Sequence, residues 1–296
     1  MSSVVVWPSA LGLSFLAAGI CTYRGHLFTS ASGGESRILS LAPVFMAAPL
    51  ATFAGEHFTA TQDLAEVVPK WLPARVPITY FVGVALISAA LSFAARKFMR
   101  WSAPLLALMF SLFVLLLHLP NALEHARTRI FWVLTLRESE FALGALCVFA
   151  YESQGFRTYR FSRFARVAMV WTGLVSIVFG IQNLLHPEYS PGVPNLRPSA
   201  AWVPVPSILA YATGAILVAL GTAMLVKKMA VVAITSVGML MVVLTIGLYA
   251  PDLFLAHGVP QRITAINFVA DTLLFAGTMF AVARAIGSSL LAPIAI

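Results

Sequence analysis

Seven side chains stand out in a sequence otherwise dominated by hydrocarbon: Glu56, His57, His118, Asn121, Glu140, Tyr249 and Asp271 lie in or at the ends of long apolar runs. Ionisable groups beside hydrocarbon are costly and normally face a partner or a cavity, so these are the candidate ligand-binding residues. His118 and Glu140 are the candidates for catalysis, because an imidazole changes charge near neutral pH and a carboxyl group can pass the proton on. Three chemistries fit the set. A quinone-like head group needs a polar partner at each carbonyl and a route for protons, which His118 with Glu140 or Glu56 would supply. Haem or a transition metal would take His57 and His118 as ligands, with Glu56 or Glu140 adding oxygen. A small-molecule carrier would use a cleft with the carboxylates at its mouth. A scaffolding subunit, in which the polar residues only tie helices together, is the alternative to all three.

The elements that position these groups follow from the solvent. Of 296 residues, 60% are hydrophobic and 10% charged, and the mean hydropathy is +0.90. So few charges cannot cover a water-soluble fold, so the expected class is all-α and polytopic, with the lipid bilayer as its main partner. A helix needs roughly 20 apolar residues to cross the hydrocarbon core. Nine runs qualify: 4–22, 38–57, 77–96, 101–120, 135–152, 164–185, 205–226, 229–250 and 263–286. The first has no Lys or Arg before it and no small-residue cleavage site after it, so it reads as a retained helix. With nine spans, 12 of the 19 Lys and Arg residues fall on one side. That bias places the N-terminus outside and the C-terminus in the cytoplasm. The net charge of +8 reads as these anchors rather than as a nucleic-acid surface. Arg157, Arg160, Arg163 and Arg166 belong to the same side. Cys21 and Cys147 fall in different helices and make no C-x-x-C motif.

An internal repeat is visible at an offset of 131 residues. It pairs Trp71 with Trp202, Pro73 with Pro204, Tyr80 with Tyr211, Gly83 with Gly214, Lys97 with Lys228 and Pro120 with Pro251. His118 then falls on Tyr249, Asn121 on Asp252 and Glu140 on Asp271. Upstream of Trp71 the register changes, and FAGEHF at 53–58 aligns with FGIQN at 179–183. The expected organisation is an N-terminal helix and loop (1–36) followed by two four-helix modules (37–155 and 156–296). Four is even, so the copies are parallel, with one candidate site in each.

FAGEHF, VVPKWLP at 67–73, YFVGVALISAALS at 80–92 and LLHLPNAL at 116–123 together resemble the DoxX-like membrane proteins, four-helix modules of bacteria and archaea. The likeness covers about residues 40 to 150 and fades in the second copy. Its DoxD type is linked to thiosulfate:quinone oxidoreduction. The resemblance therefore implies a redox-associated subunit or accessory with a quinone as its cofactor and other membrane or redox proteins as its partners. It does not itself carry an enzyme activity to this chain.

Four further features have plainer readings. Arg137 precedes Glu140 by three residues, the spacing of a helix-surface ion pair. Pro120 lacks an N–H and collides with the carbonyl of Leu116, so the helix is expected to end or kink there. Trp71 and Trp202 read as interfacial aromatics, and the Pro-rich segment 187–206 as an extended loop.

Overall fold

The computed structural model describes residues 2–29, 37–153 and 159–291. Its regular elements are all helical, apart from one isolated antiparallel bridge between Tyr189 and Pro198. They run α1 (Ser3–Thr29), a short 3-10 turn (Leu39–Leu41), α2 (Ala42–Thr59), α3 (Thr61–Val67), α4 (Arg75–Ala95), α5 (Met99–Phe113), π1 (Val114–His118), α6 (Leu119–Glu124) and α7 (Arg129–Glu152). The chain continues as α8 (Tyr159–Leu185), α9 (Pro206–Met224), α10 (Ala230–Leu244), π2 (Thr245–Tyr249), α11 (Ala250–Leu255) and α12 (Val259–Leu291). The junction expected at 155/156 and Arg157 lie outside the described residues, as does the side chain of Arg160.

Eight of these helical stretches are long and apolar enough to cross a membrane. The ninth expected span falls within α7, which has 24 residues and at 1.5 Å per residue reaches about 36 Å. Length does not disqualify α7; its charges keep it out of the apolar set. Glu138 and Glu140 on α7 are buried, at 7% and 0% exposure, so that helix turns its acids into the protein.

Helix packing here depends on close backbone approach, because lipid offers apolar side chains much the same environment as a neighbouring helix does. α12 is central, lying against α2, α7, α10, α8 and α1. A Cβ placed on Gly277 would come within 2.8 Å of the Met46 side chain and 2.9 Å of the Met46 and Phe45 backbone, so hydrogen alone fits where α12 crosses α2. α8 and α9 meet in the same way through Gly180 and Gly214, with Gly173 and Gly221 one contact further along. Within each half, α2 pairs with α4 and α5 with α7, then α8 with α9 and α10 with α12.

Several element boundaries recur at the offset seen in the sequence. α5, π1 and α6 begin at Met99, Val114 and Leu119, and α10, π2 and α11 begin at Ala230, Thr245 and Ala250. The residues ahead of α4 and α9, Ala74 and Val205, both adopt left-handed backbone, at φ 55° and 49°.

Of the two outcomes expected at Pro120, an end or a kink, the helix does not show the first. It widens by one residue just before the proline, with the Leu119 N–H donating to the Val114 carbonyl, and then continues as α6. Ala250 does the same to Thr245 ahead of Pro251. A wider turn moves the carbonyl of residue i−4 out of the ring's way and absorbs the missing N–H, which is how a proline can sit inside a long helix.

Candidate functional site

Two spans and α7 bring charge together at one level. On α12, Asn267 and Asp271 are four residues apart and share a face. Asp271 accepts a bond from Arg137 of α7 at 2.6 Å, and the other guanidinium nitrogen of Arg137 donates to Glu138 at 2.9 Å. With its NH2 turned toward α2, the Asn267 amide donates to both Glu56 oxygens, at 2.8 and 2.9 Å. Asp271 is close enough to Glu56 to act on it electrostatically. The cluster thus joins α2 and α7 of the first half to α12 of the second. Sequence reasoning assigned Glu56 to the first module and Asp271 to the second, and the structure brings the two into one polar cluster.

Arg137 also corrects the local expectation on α7. Its partners are Asp271 and Glu138 rather than Glu140, and its Nε atom is buried without a partner among the described residues. Glu140 turns toward α8, where Thr172 Oγ1 donates to its Oε2 at 3.2 Å and its Oε1 has no partner among the described residues. Next to it, the Trp171 indole donates to Ser139 at 3.2 Å. The i, i+3 spacing allowed an ion pair, but neighbours from other helices took both groups. Nothing in one helix's sequence could report that.

The remaining candidates separate. His118 ends π1, half-buried, close enough to Arg137 to feel its charge, and its ring makes no hydrogen bond among the described residues. His57 follows Glu56; its Cβ lies beside Gly83 of α4, and its Nδ1 bonds the Phe53 carbonyl at 2.8 Å. Asn121 is exposed and contributes only its backbone carbonyl, to His125. Among the described residues, no three His, Cys, Asp or Glu side chains converge as metal ligands. His57 and His118 therefore belong to no such group.

Tyr249 is close enough to Asp271 to feel its charge and holds a further arrangement in the second half. Segment 187–206, expected to be an extended loop, instead folds back so that residues 190–194 are buried. The Tyr249 hydroxyl donates to the Pro191 carbonyl, and the Asn183 amide exchanges two 2.9 Å bonds with the backbone of Gly192. Gly192 has φ +108°, and a Cβ there would lie 3.0 Å from Leu244, so the turn needs glycine twice over. Asp252 then accepts from the Trp202 indole at 2.8 Å and faces Arg197 at 3.4 Å. Arg129 of α7 donates to the Asn195 carbonyl at 2.7 Å. Trp202, 39% exposed, is thus tied to Asp252 by its indole N–H, while Trp71 is 67% exposed. The signals for this plug were the Pro-Gly pair and the Asp aligned with Asn121, neither of which names its partner.

Residues 46–138 match a protein family described as a domain of unknown function (DUF8561). The match takes in Glu56, His57, His118, Asn121, Arg137 and Glu138 and stops short of Glu140. No curated protein and no solved structure matches the chain.

Proposed function

We propose that this chain is a DoxX-like membrane protein that holds a small quinone-like head group at the polar cluster of its first half. It acts there as a subunit or accessory of a membrane redox system in a prokaryotic inner membrane. In this reading the chain has nine spans, counting α7, and two parallel four-helix modules. Its N-terminus is outside and its C-terminus cytoplasmic. The recurrence of helix boundaries and π turns at one offset supports the duplication.

The observation that carries the ligand reading is the convergence of Glu56, Asn267, Arg137, Glu138 and Asp271 at one level, with His118 beside them. Buried ionic groups among spanning helices are costly, and a bundle needing only cohesion is made more simply from small and apolar residues. Arg137 and His118 offer donors to a carbonyl, the acids offer places for protons, and two buried polar atoms, Arg137 Nε and Glu140 Oε1, are unpartnered among the described residues. The head group would supply electron transfer; the chain's own residues would orient it and hold or release protons.

The test is purification from the native membrane into nanodiscs, with mass spectrometry of the extracted small molecules. Supporting this reading requires a quinone at about one per protein, well above its share of bulk lipid, and its loss in Glu56→Gln and His118→Phe. A quinone content equal to that of the surrounding lipid, together with a stoichiometric partner protein, would instead favour the scaffold.

A further inference from the structure

The two halves differ in what lies between one pair of side chains. In the second half, the Pro191–Gly192 peptide group is gripped on both edges. The Tyr249 hydroxyl donates to its carbonyl, and Asn183 Oδ1 accepts its N–H at 2.9 Å. Register carries both clamps into the first half: His118 aligns with Tyr249, and His57 aligns with Asn183 through FAGEHF and FGIQN. The local geometry supports that alignment. Asn183 Nδ2 donates to the Phe179 carbonyl at 2.7 Å, and His57 Nδ1 makes the corresponding bond to Phe53 at 2.8 Å. Phe58 and Gly83 likewise meet where Leu184 and Gly214 do.

The first half, among the described residues, has no counterpart of the plug hydrogen-bonded to the two aligned histidine rings. Its α2–α4 connection folds as α3, which packs on α2 and α4, and no hydrogen bond joins residues 61–74 to either histidine ring. Exposure differs accordingly: Asn183 and Tyr249 are 4% and 1% exposed beneath the plug, while His57 and His118 are half-buried.

Hydrogen-bond polarity restricts what fits between them. A carbonyl only accepts, so His57 Nδ1 carries a hydrogen and the neutral ring leaves Nε2 as an acceptor. That is the polarity Asn183 Oδ1 shows to the Gly192 N–H. His118 stands where the Tyr249 hydroxyl donates, and its ring is free to donate as well.

We propose that the first half binds, between His57 and His118, a planar head group with a hydrogen-bond donor on the edge facing His57 and an acceptor on the opposite edge. The second half fills the matching position with its own peptide. This rests on the small-molecule reading above and narrows it from quinones in general to a quinol or a 4-quinolone, rings that carry an O–H or N–H on one edge. An oxidised quinone, with acceptors on both edges, meets only His118 favourably.

Fluorescence titration of the nanodisc-embedded protein with an alkyl 4-quinolone, and with the same ring methylated on nitrogen, tests this. The expected result is saturable binding of the N–H form at one per protein and at least tenfold weaker binding of the methylated form, a comparison made entirely on the unaltered chain. His57→Phe and His118→Phe should each weaken the N–H form at least tenfold, while Tyr249→Phe leaves it within twofold. Equal binding of the two ring forms, or no dependence on either histidine, overturns the inference. If a copurified quinone is lost in Glu56→Gln while quinolone binding ignores His57, this inference fails and the proposed function stands. If neither molecule binds, both fail.

Discussion

Replacing Arg137 with Met keeps most of the side chain's bulk and removes its charge, which isolates what the guanidinium does. The guanidinium bonds Asp271 at 2.6 Å and Glu138 at 2.9 Å, with side-chain exposures of 18% for both Arg137 and Asp271 and 9% for Glu138. Deleting one member of a buried ion pair costs about 3–5 kcal/mol, because the charge left behind can be neither paired nor rehydrated. A hydrogen bond between spanning helices averages only about 0.6 kcal/mol, so the two possibilities are well separated. The residual exposure places the expected loss near the lower bound, about 3 kcal/mol. Adding Asp271→Asn to the Arg137→Met variant removes one orphaned carboxylate and should restore about 1 kcal/mol or more, a non-additivity that two independent sites do not show. Equilibrium unfolding in mixed micelles with rising SDS, followed by tryptophan fluorescence, measures all four corners of this cycle. Should Arg137→Met unfold within about 1 kcal/mol of the parent and the double variant prove additive, the reading of these residues as a buried ionic junction is wrong.

Three further outcomes follow from particular contacts. Gly192→Ala forces a side chain into left-handed backbone, at about 1–2 kcal/mol, and against Leu244, so hydrogen exchange across residues 187–206 should accelerate while α2 is unchanged. Gly277→Ala drives a Cβ into the backbone of α2 and should destabilise the protein by about 1–3 kcal/mol in the same SDS titration. Gly247→Ala, which meets nothing within 4 Å, should be neutral or stabilising and serves as the contrast. Tyr249→Phe strands the Pro191 carbonyl and should cost about 1 kcal/mol, whereas His118→Phe, at the matching position, breaks no hydrogen bond and should cost less.

Much of the fold is readable from the chain because a bilayer constrains sequence strongly. A span must be long and apolar, and the runs found at 77–96 and 205–226 emerge as α4 at 75–95 and α9 at 206–224. α7 is the instructive exception, since its acids weaken the apolar signal for a reason that lies on other helices. Pro120 reads as a point where the helix ends or kinks; the structure shows a widened turn there with the helix continuing beyond it. Whether a helix breaks or widens depends on what holds the segment beyond it, and α6 is held against α7.

The sequence by itself determined where the apolar helices run, that their pattern recurs at one offset, and that polar groups are confined to a few positions near helix ends. Each of these is local or periodic, carried by side chains a few residues apart. Only the tertiary structure decided which polar groups meet. Glu56 and Asn267 are 211 residues apart, and Arg137 reaches Asp271 rather than the acid one turn along its own helix. Only the packed bundle shows the second half closed by its own Pro191–Gly192 peptide while, among the described residues, no such plug is hydrogen-bonded to the His57 and His118 rings. A hydrogen bond between distant helices depends on crossing angle and helix rotation, which interhelical packing sets and no single helix encodes.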